Sequence, residues 1–486
     1  MVFSAPIFLF GFLPFALFIY FLAPKRFKNI VLLIISLLFY AWGEVFYLVI
    51  MLVSIISNYF IGLMIHKSFL RVNGRHIDKF TGSPKYYLVF GVIINLGLLI
   101  SFKYANFISD NINNVLEVFS INRIEIAPVH LPLGISFFTF QAISYIVDLY
   151  RRQVSVQLNV VNFALYISLF PQLIAGPIVR YRDISEQVLS RTTSTELFAH
   201  GSRRFIHGLA KKTLIANNLG QVADHTFALS GSDLTSPIAW IGIIAYALQI
   251  YFDFSGYSDM AIGLGLMFGF KFLENFDYPY IAKSIQEFWR RWHISLSTWF
   301  RDYVYISLGG NRVPRPRVYM NLFIVFILTG FWHGASWNFL VWGLFHGAFL
   351  AAEHAGISKY LKKLWVPVRH FYVIFVVLIG WVFFRAENLQ HSFDYVGALF
   401  NLSNVQTSQF QYAQFMSNEI LIAFIAGIAL SGPIYKKILS VISQIMPSNR
   451  NLTFEVAKIL FLFLILTLSI LKVASSTYDP FIYFRF

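Results

Sequence analysis

Long, continuous apolar runs recur along the whole sequence, and they constrain the fold more than any other feature. Because 57% of the residues are hydrophobic and only 13% are charged, against about 25% charged in an ordinary soluble domain, much of the surface must face lipid. The candidate spans are residues 7–22, 30–40, 45–65, 87–102, 238–251, 318–332, 337–352, 371–384, 420–430 and 456–473. Several are shorter than the ~20 residues that a full crossing needs. The runs predict an all-α polytopic membrane protein of about 10–12 transmembrane and re-entrant helices.

The polar stretches are too short to form a soluble domain. The longest are residues 67–85, 183–212 and 403–414, so we expect residues 1–486 to form a single integral-membrane domain. A basic cluster, Lys25, Arg26 and Lys28, follows the first apolar run. The positive-inside rule places this cluster in the cytoplasm and Met1 outside. No small-residue cleavage site follows the run, which favours a retained first span over a signal peptide.

The net charge of +15 is explained first by the basic bias of cytoplasmic loops. A basic vestibule for a phosphate-rich cofactor would account for part of it, whereas nucleic-acid binding lacks a separate basic domain. The sequence has no cysteine, which excludes disulfides, thiolate nucleophiles and cysteine-based metal sites. The spacing of His333, His346 and His354 matches no metal-binding motif, so we expect no bound metal.

Two further segments carry charge beside apolar residues. Residues 203–218, RRFIHGLAKKTLIANN, predict a helix on the cytoplasmic membrane surface with Arg204, Lys211 and Lys212 directed toward lipid headgroups. Residues 251–270 contain Asp253 and Asp259. We interpret Ser258 or Asp259 as the N-cap of a following helix, in preference to a proton or ion relay.

Residues 288–302, FWRRWHISLSTWFRD, combine three tryptophans, three arginines and one histidine. On one continuous helix the aromatic residues would occupy one half and the charged residues the other, with His293 at the edge of the aromatic half. Such a helix cannot span lipid, because charge at bilayer depth is costly. An interfacial anchor is one interpretation. The density of arginines favours another, in which Arg290 and Arg291 bind an anionic ligand such as a phosphate.

His333 lies between two apolar runs and is flanked by Gly330 and Gly334. This pattern predicts a break between two helices at membrane depth, where an ionisable side chain is a functional candidate. A neutral imidazole could act as a general base on an acceptor hydroxyl, while His293 could orient that base or polarise the carbonyl. A structural role for His333 remains open at this point. His346 is interpreted as structural and His354 as solvated.

Several motifs together resemble one family. They are YFDFSGYSDMAIGLGLMFGFKFLENFDYPY at 251–280, EFWRRWHISLSTWFRDYVYISLGGNR at 287–312, GFWHGASWNFLVWGLFHG at 330–347, LPLGISFFTFQAISYIVDLYR at 131–151, LFPQLIAGPIVRYRD at 169–183, GWVFFRAENL at 380–389 and DPFIYFRF at 479–486. They are similar to the membrane-bound O-acyltransferases, in particular to the branch that includes alginate O-acetyltransferases. The resemblance implies a helical bundle around a central tunnel. It also implies catalytic roles for His333 and His293, and it places Arg290, Arg291, Trp332 and Asn338 among the residues that bind substrate or cofactor.

The resemblance further implies a function. Acetyl-CoA would bind from the cytoplasm at the bacterial inner membrane, and the acetyl group would cross the bilayer for O-acetylation of an exported polysaccharide. The expected partners are a periplasmic esterase-like acetyltransferase and the polysaccharide synthesis and export machinery. An alginate-type polymer is favoured, with cellulose and peptidoglycan left open. The alternative is a non-catalytic membrane scaffold or transporter of a polysaccharide export complex.

Overall fold

The structure is a computed structural model that describes residues 2–72, 83–401, 416–434, 440, 451–475 and 478. The motif at 479–486, the polar stretch at 403–414 and most of the stretch at 67–85 lie outside the described residues. Within the described ranges the chain forms helices and no β-strands, which confirms the all-α prediction.

The principal helices follow one another along the chain. They are α1 (Ile7–Leu22), α2 (Lys28–Ala41), α3 (Leu48–Val72), α4 (Pro84–Val118), α5 (Ile135–Tyr150), α6 (Val160–Ser168), α7 (Tyr181–Leu189), α8 (Thr195–Ala210), α9 (Asn217–Phe227), α10 (Ser236–Met267), α11 (Ile285–Arg291), α12 (Ile294–Phe300), α13 (Arg315–His333), α14 (Trp337–Ala352), α15 (Val366–Arg385), α16 (Leu389–Phe400), α17 (Asn418–Leu430) and α18 (Asn451–Ser475). Five of them are long and apolar enough to cross a membrane: α3, α4, α10, α15 and α18. Three shorter apolar helices, α1, α5 and α17, accompany them. The chain is therefore a polytopic helical membrane protein.

The helices belong to two compact units. The first comprises the described residues up to Gly201 together with Leu264–Leu273. Its helices α3 and α4 are joined by a reciprocal pair of buried amide hydrogen bonds: Asn58 Nδ2 donates to Asn95 Oδ1 at 3.1 Å, and Asn95 Nδ2 donates to Asn58 Oδ1 at 2.7 Å. Each amide thereby satisfies the other away from water, which holds the two spans in a fixed register.

The second unit comprises Ser202–Gly263 and the described residues from Glu274 onward. It contains both histidines that the sequence analysis selected. Its core is rich in aromatic rings. The helices α13 and α14 both lie entirely within this unit and pack against each other as an antiparallel pair. The candidate site is therefore built within one unit.

The structure corrects the prediction of an N-cap at Ser258 or Asp259. Both residues, and Asp253, lie inside α10, which continues without interruption to Met267. Asp253 forms a buried ion pair with Lys212 at 2.8 Å, and Asp259 lies 2.6 Å from Lys211. A carboxylate inside a buried helix is tolerated because a cation and hydrogen bonds satisfy it.

The same contacts correct the prediction that residues 203–218 direct their cations toward lipid headgroups. Arg204 lies 2.8 Å from Asp259 and also pairs with Glu274. Lys212 is only 2% exposed. The cations therefore face carboxylates of their own unit, because the buried carboxylates of α10 require counter-charges away from water.

The continuous helix predicted across residues 288–302 is also wrong. The chain forms α11 and α12, separated at His293, whose backbone is left-handed at φ 44° and ψ 56°. The segment at 275–277 replaces the missing helical hydrogen bonds: Asp277 N donates to Arg291 O at 3.0 Å, and Ile294 N donates to Asn275 O at 2.9 Å. These bonds compensate for the strained φ of a non-glycine residue.

Candidate functional site

His333 is the last residue of α13, and Gly334 is extended, so that α14 can begin at Trp337. The predicted break between the two apolar runs is therefore confirmed. The ring of His333 is 5% exposed. It lies 5.0 Å from the Trp332 ring, 5.1 Å from the Trp342 ring and 5.0 Å from the Phe384 ring, measured between centroids. These rings exclude bulk water from one side of the imidazole.

His293 is 1% exposed and also contacts Trp332. Its ring centroid is 5.9 Å from that of Trp332 and 4.6 Å from that of Phe254 on α10. Trp332 thus contacts both histidines. Residues far apart in sequence meet here because the turn at His293 and the end of α13 converge on one indole ring.

Burial has an electrostatic consequence for His293. Removal of the ring from water lowers the pKa of His293 to about 3, because a charged imidazolium loses its solvation in the interior. The imidazole is therefore neutral at physiological pH. A neutral ring offers one donor and one acceptor nitrogen.

An asparagine that the sequence analysis did not select orients His293. Asn275 Oδ1 lies 3.1 Å from His293 Nδ1, and it accepts hydrogen bonds from Ser295 Oγ at 2.9 Å and from Ser295 N at 3.2 Å. Asn275 Nδ2 donates to Ser258 Oγ at 3.1 Å. No local pattern could have revealed this set, because its members come from three separate segments.

The two arginines of the predicted phosphate site differ. Arg291 Nε lies 3.0 Å from Glu287 Oε1, and its Nη1 lies 2.8 Å from Asp277 Oδ2. Its charge is therefore already matched within the protein. Arg290 is exposed and forms no ion pair with any residue in the described part of the chain.

Asn338, predicted to contact substrate or cofactor, is buried at the start of α14. Its Nδ2 donates to Ala386 O at 2.8 Å and to Ser392 Oγ at 3.4 Å. The amide therefore ties α14 to the chain just beyond α15. Trp332, from the same motif, is also buried, and its ring contacts both histidine rings.

The other histidines of this region lie apart from the Trp332 contact. His346 is buried between the rings of Trp289 and Trp342, at 5.1 and 5.2 Å. His354 is exposed and packs 5.9 Å from the Tyr319 ring. Among the described residues, no three histidine, aspartate or glutamate side chains come together as a metal site would require.

A cavity of about 1380 Å³ adjoins the Asn275 group within the second unit. One wall carries hydroxyl and amide groups, from Tyr251, Ser255 and Ser258 of α10 and from Asn275. The lining residues from α17 and α18 are mainly aliphatic and aromatic, and they include the Glu419–Lys472 ion pair. Arg204 and Lys211 line the cavity in their ion pairs. The cavity is therefore amphipathic, and one asparagine separates it from His293.

The sequence was compared with known proteins. The family model described as membrane-bound O-acyltransferase matches residues 149–393. A probable alginate O-acetylase AlgI of Azotobacter vinelandii is 46% identical over 431 residues, which cover 89% of this chain and 84% of that protein. A peptidoglycan O-acetyltransferase of Helicobacter pylori is 34% identical over 100% of this chain and 98% of its own length. A teichoic acid D-alanyltransferase of Bacillus subtilis is 29% identical over 52% of this chain and 66% of its own length.

Proposed function

This chain belongs to the membrane-bound O-acyltransferase family and is an acyltransferase, and we propose that it transfers acetyl groups from cytoplasmic acetyl-CoA for O-acetylation of an exported polysaccharide. The relatives named as alginate O-acetylases favour an alginate-type polymer. The similar peptidoglycan O-acetyltransferase keeps peptidoglycan open, and cellulose also remains open. In this proposal the enzyme lies in the bacterial inner membrane, and a periplasmic esterase-like acetyltransferase of the export machinery receives the acetyl group.

The observation that carries the proposal is the contact of the Trp332 ring with the rings of both His293 and His333. In the reaction, His333 removes the proton of an acceptor hydroxyl as its oxygen attacks the acetyl carbonyl carbon. The new C–O bond replaces the C–S bond of the thioester, and the proton passes from His333 to the departing thiolate of CoA. A positioned base contributes about 10²–10⁴-fold to the rate, and the aromatic surroundings keep water from competing for the acetyl group.

The cavity beside Asn275 suits the pantetheine arm of the donor. Drug-sized ligands need roughly 300–1,000 Å³, and this cavity provides about 1380 Å³. Pantetheine alternates amides with a branched aliphatic unit, which matches one wall of hydroxyl and amide groups and a second, mainly apolar wall. Arg204 and Lys211 are both ion-paired, so each could bind a phosphate of the donor only if it gave up its carboxylate partner.

Arg290 is the arginine that we assign to the donor phosphates, since its side chain is exposed. Trp332 is assigned to the reacting group, because its ring contacts both histidines. Arg291 and Asn338 are assigned to the support of these residues, because their polar groups are bound to Asp277 and Ala386.

Replacement of His333 tests the proposal. His333→Ala and His333→Gln should accumulate as folded, monodisperse protein in detergent, while the exported polymer loses its acetyl esters. Infrared ester absorbance of the polymer measures this loss. The matched control is His354→Ala, an exposed histidine of the same unit, which should leave the ester band unchanged. Full acetylation by both His333 variants would contradict the assignment.

Deletion of the gene separates the transferase from a scaffold or transporter. A transferase deletion should leave the amount of exported polymer unchanged and remove its esters. Loss of the polymer itself would support the scaffold or transporter function instead. Acetyl transfer from radiolabelled acetyl-CoA into inner-membrane vesicles identifies the donor, and vesicles that accept no label would contradict it.

A further inference from the structure

Three donors converge on one oxygen beside His293. Asn275 Oδ1 lies 3.2 Å from Ser295 N, 2.9 Å from Ser295 Oγ and 3.1 Å from His293 Nδ1. A backbone N–H can only donate, so the atom that faces it must be the amide oxygen and not the amide nitrogen. The hydrogen bond from Asn275 Nδ2 to Ser258 Oγ agrees with the same orientation.

This orientation determines which nitrogen of His293 carries the proton. An amide oxygen accepts hydrogen bonds and cannot donate them, so Nδ1 approaches Asn275 at 3.1 Å only as a protonated donor. Ser295 Oγ lies 3.5 Å from Nδ1, farther than its 2.9 Å distance to Asn275 Oδ1, and so bonds preferentially to the oxygen. In a neutral ring with Nδ1 protonated, Nε2 holds a lone pair.

We propose that Asn275 is a positioning residue that holds His293 in the Nδ1–H tautomer and thereby makes Nε2 a hydrogen-bond acceptor toward the reacting groups. The inference rests on the proposed function, acetyl transfer with His333 as the base, and it concerns the role of the second histidine that Trp332 contacts. It decides between two roles for this histidine. A neutral Nε2 cannot donate a hydrogen bond to a carbonyl oxygen, so His293 does not polarise the acetyl carbonyl. It accepts a hydrogen bond, from the acceptor hydroxyl or from His333.

The location of Asn275 gives the orientation a second consequence. Asn275 and Ser258 both line the cavity assigned to the donor, while Asn275 Oδ1 points away from Ser258 to the histidine. Ile294 N donates to Asn275 O at 2.9 Å, so main chain and side chain of this asparagine both hold the turn at His293. The His293 tautomer is therefore supported by a residue that the donor would contact.

The first test reads the tautomer directly and does not depend on activity. The full-length protein labelled with ¹⁵N-histidine is reconstituted in lipid, and His293 is assigned by the loss of its signals in His293→Gln. We expect a protonated Nδ1 and an unprotonated Nε2 at pH 7, and a mixture of tautomers in Asn275→Ala. A wild-type ring protonated at Nε2 would overturn the inference.

The second test is the pH dependence of acetyl transfer from acetyl-CoA in membrane vesicles. Asn275→Ala should lower kcat about 10- to 100-fold, less than the roughly 10⁴-fold loss when a serine protease triad loses its tautomer-fixing carboxylate. Asn275→Asp should restore kcat at pH 8–9, because a carboxylate accepts the same hydrogen bonds. Its negative charge raises the pKa of His293, so activity should fall at a pH at least one unit higher than in the wild type.

Other titratable groups around His293 are the same in wild type and variant. On α13 the group is His333, whose neighbour Trp332 also contacts the His293 ring. On α10 and beside Asn275 they are Asp259 with its partners Arg204 and Lys211, Glu274 paired with Arg204, and Asp277 paired with Arg291. The acid limb of the pH profile is the range in which acetyl transfer falls as the pH drops. A shift of this limb in Asn275→Asp is thus attributable to the new carboxylate beside His293.

The matched control makes the same change at another buried asparagine. Asn321 on α13 is fully buried, and its amide donates to Leu308 O at 3.2 Å. Asn321→Asp should reduce stability without moving the acid limb. An acid limb that is identical in Asn275→Asp and wild type would overturn the inference. A protein with the expected tautomer but no acetyl-CoA-dependent transfer would overturn the proposed function and leave only the assignment of the His293 tautomer intact.

Discussion

Gly330 of α13 faces Gly343 of α14, so closely that a Cβ added to Gly343 would lie 3.5 Å from the Gly330 Cα and 2.3 Å from Phe326 O. A Cβ added to Gly330 would lie 2.2 Å from Phe339 O. The two helices can touch backbone to backbone only because neither residue has a side chain. This close crossing lies within one helical turn of His333 and therefore determines the position of the His333 ring.

Gly330→Ala should separate the two helices and displace His333. We expect a loss of about 1–3 kcal/mol in the free energy of unfolding from overpacking, together with a larger loss of acetyl transfer. Thermal unfolding in detergent and transfer from acetyl-CoA measure the two effects. The control is Gly397→Ala on α16, where an added Cβ meets no atom of the described residues within 4 Å. Equal behaviour of the two variants would contradict the crossing.

Replacement of either Lys212 or Asp253, which form a buried ion pair, should lower the free energy of unfolding. Each residue is 2% exposed and the charged atoms are 2.8 Å apart. Lys212→Met or Asp253→Leu alone should cost about 3–5 kcal/mol, because the remaining charge stays buried without its main counter-charge. The double variant should recover most of the loss, which thermal unfolding can measure. Additive losses would show that the two residues do not act as a pair.

Acid should destabilise the protein through His293. Its pKa is lowered to about 3 in the folded state from about 6.5 in an unfolded chain. Between these values only the unfolded state binds the proton, so the free energy of unfolding falls by up to about 1.4 kcal/mol per pH unit as the pH drops. Above pH 6.5 this contribution is constant.

His293→Gln should therefore lose less thermal stability than the wild type between pH 7.5 and pH 5.5. The control is His354→Gln, because His354 is exposed. A wild type and a His293→Gln variant that lose stability equally over this range would contradict the linkage.

Arg290 and Arg291 should respond differently to substitution. Arg290→Ala removes an exposed cation, so the protein should stay stable while KM for acetyl-CoA rises several-fold and more steeply at low ionic strength. Arg291→Ala breaks contacts to Glu287 and Asp277, so its main effect should be on thermal stability. A kinetic defect for Arg291→Ala with unchanged stability would reverse these assignments.

The sequence alone identified His333, and the reason is energetic. An ionisable side chain between two apolar runs is costly at membrane depth, so its presence there indicates a role, and the adjacent glycines indicate a break. The structure confirms the break and adds the aromatic rings that surround the imidazole. His293 was also selected from the sequence, but on a continuous helix that the chain does not form. Helical periodicity is a local signal and cannot register the main-chain bonds from residues 275–277 that interrupt it.

The amino-acid sequence determined that the protein is helical and membrane-embedded, because apolar length and charge content depend on composition along the chain. Only the tertiary structure decided which partners the polar groups have. Arg204 and Lys212 face carboxylates of α10 and not lipid, and Asn275 orients His293. These pairs join residues distant in sequence, and their energy comes from mutual burial. No single segment contains both members of any such pair, so no single segment could have specified it.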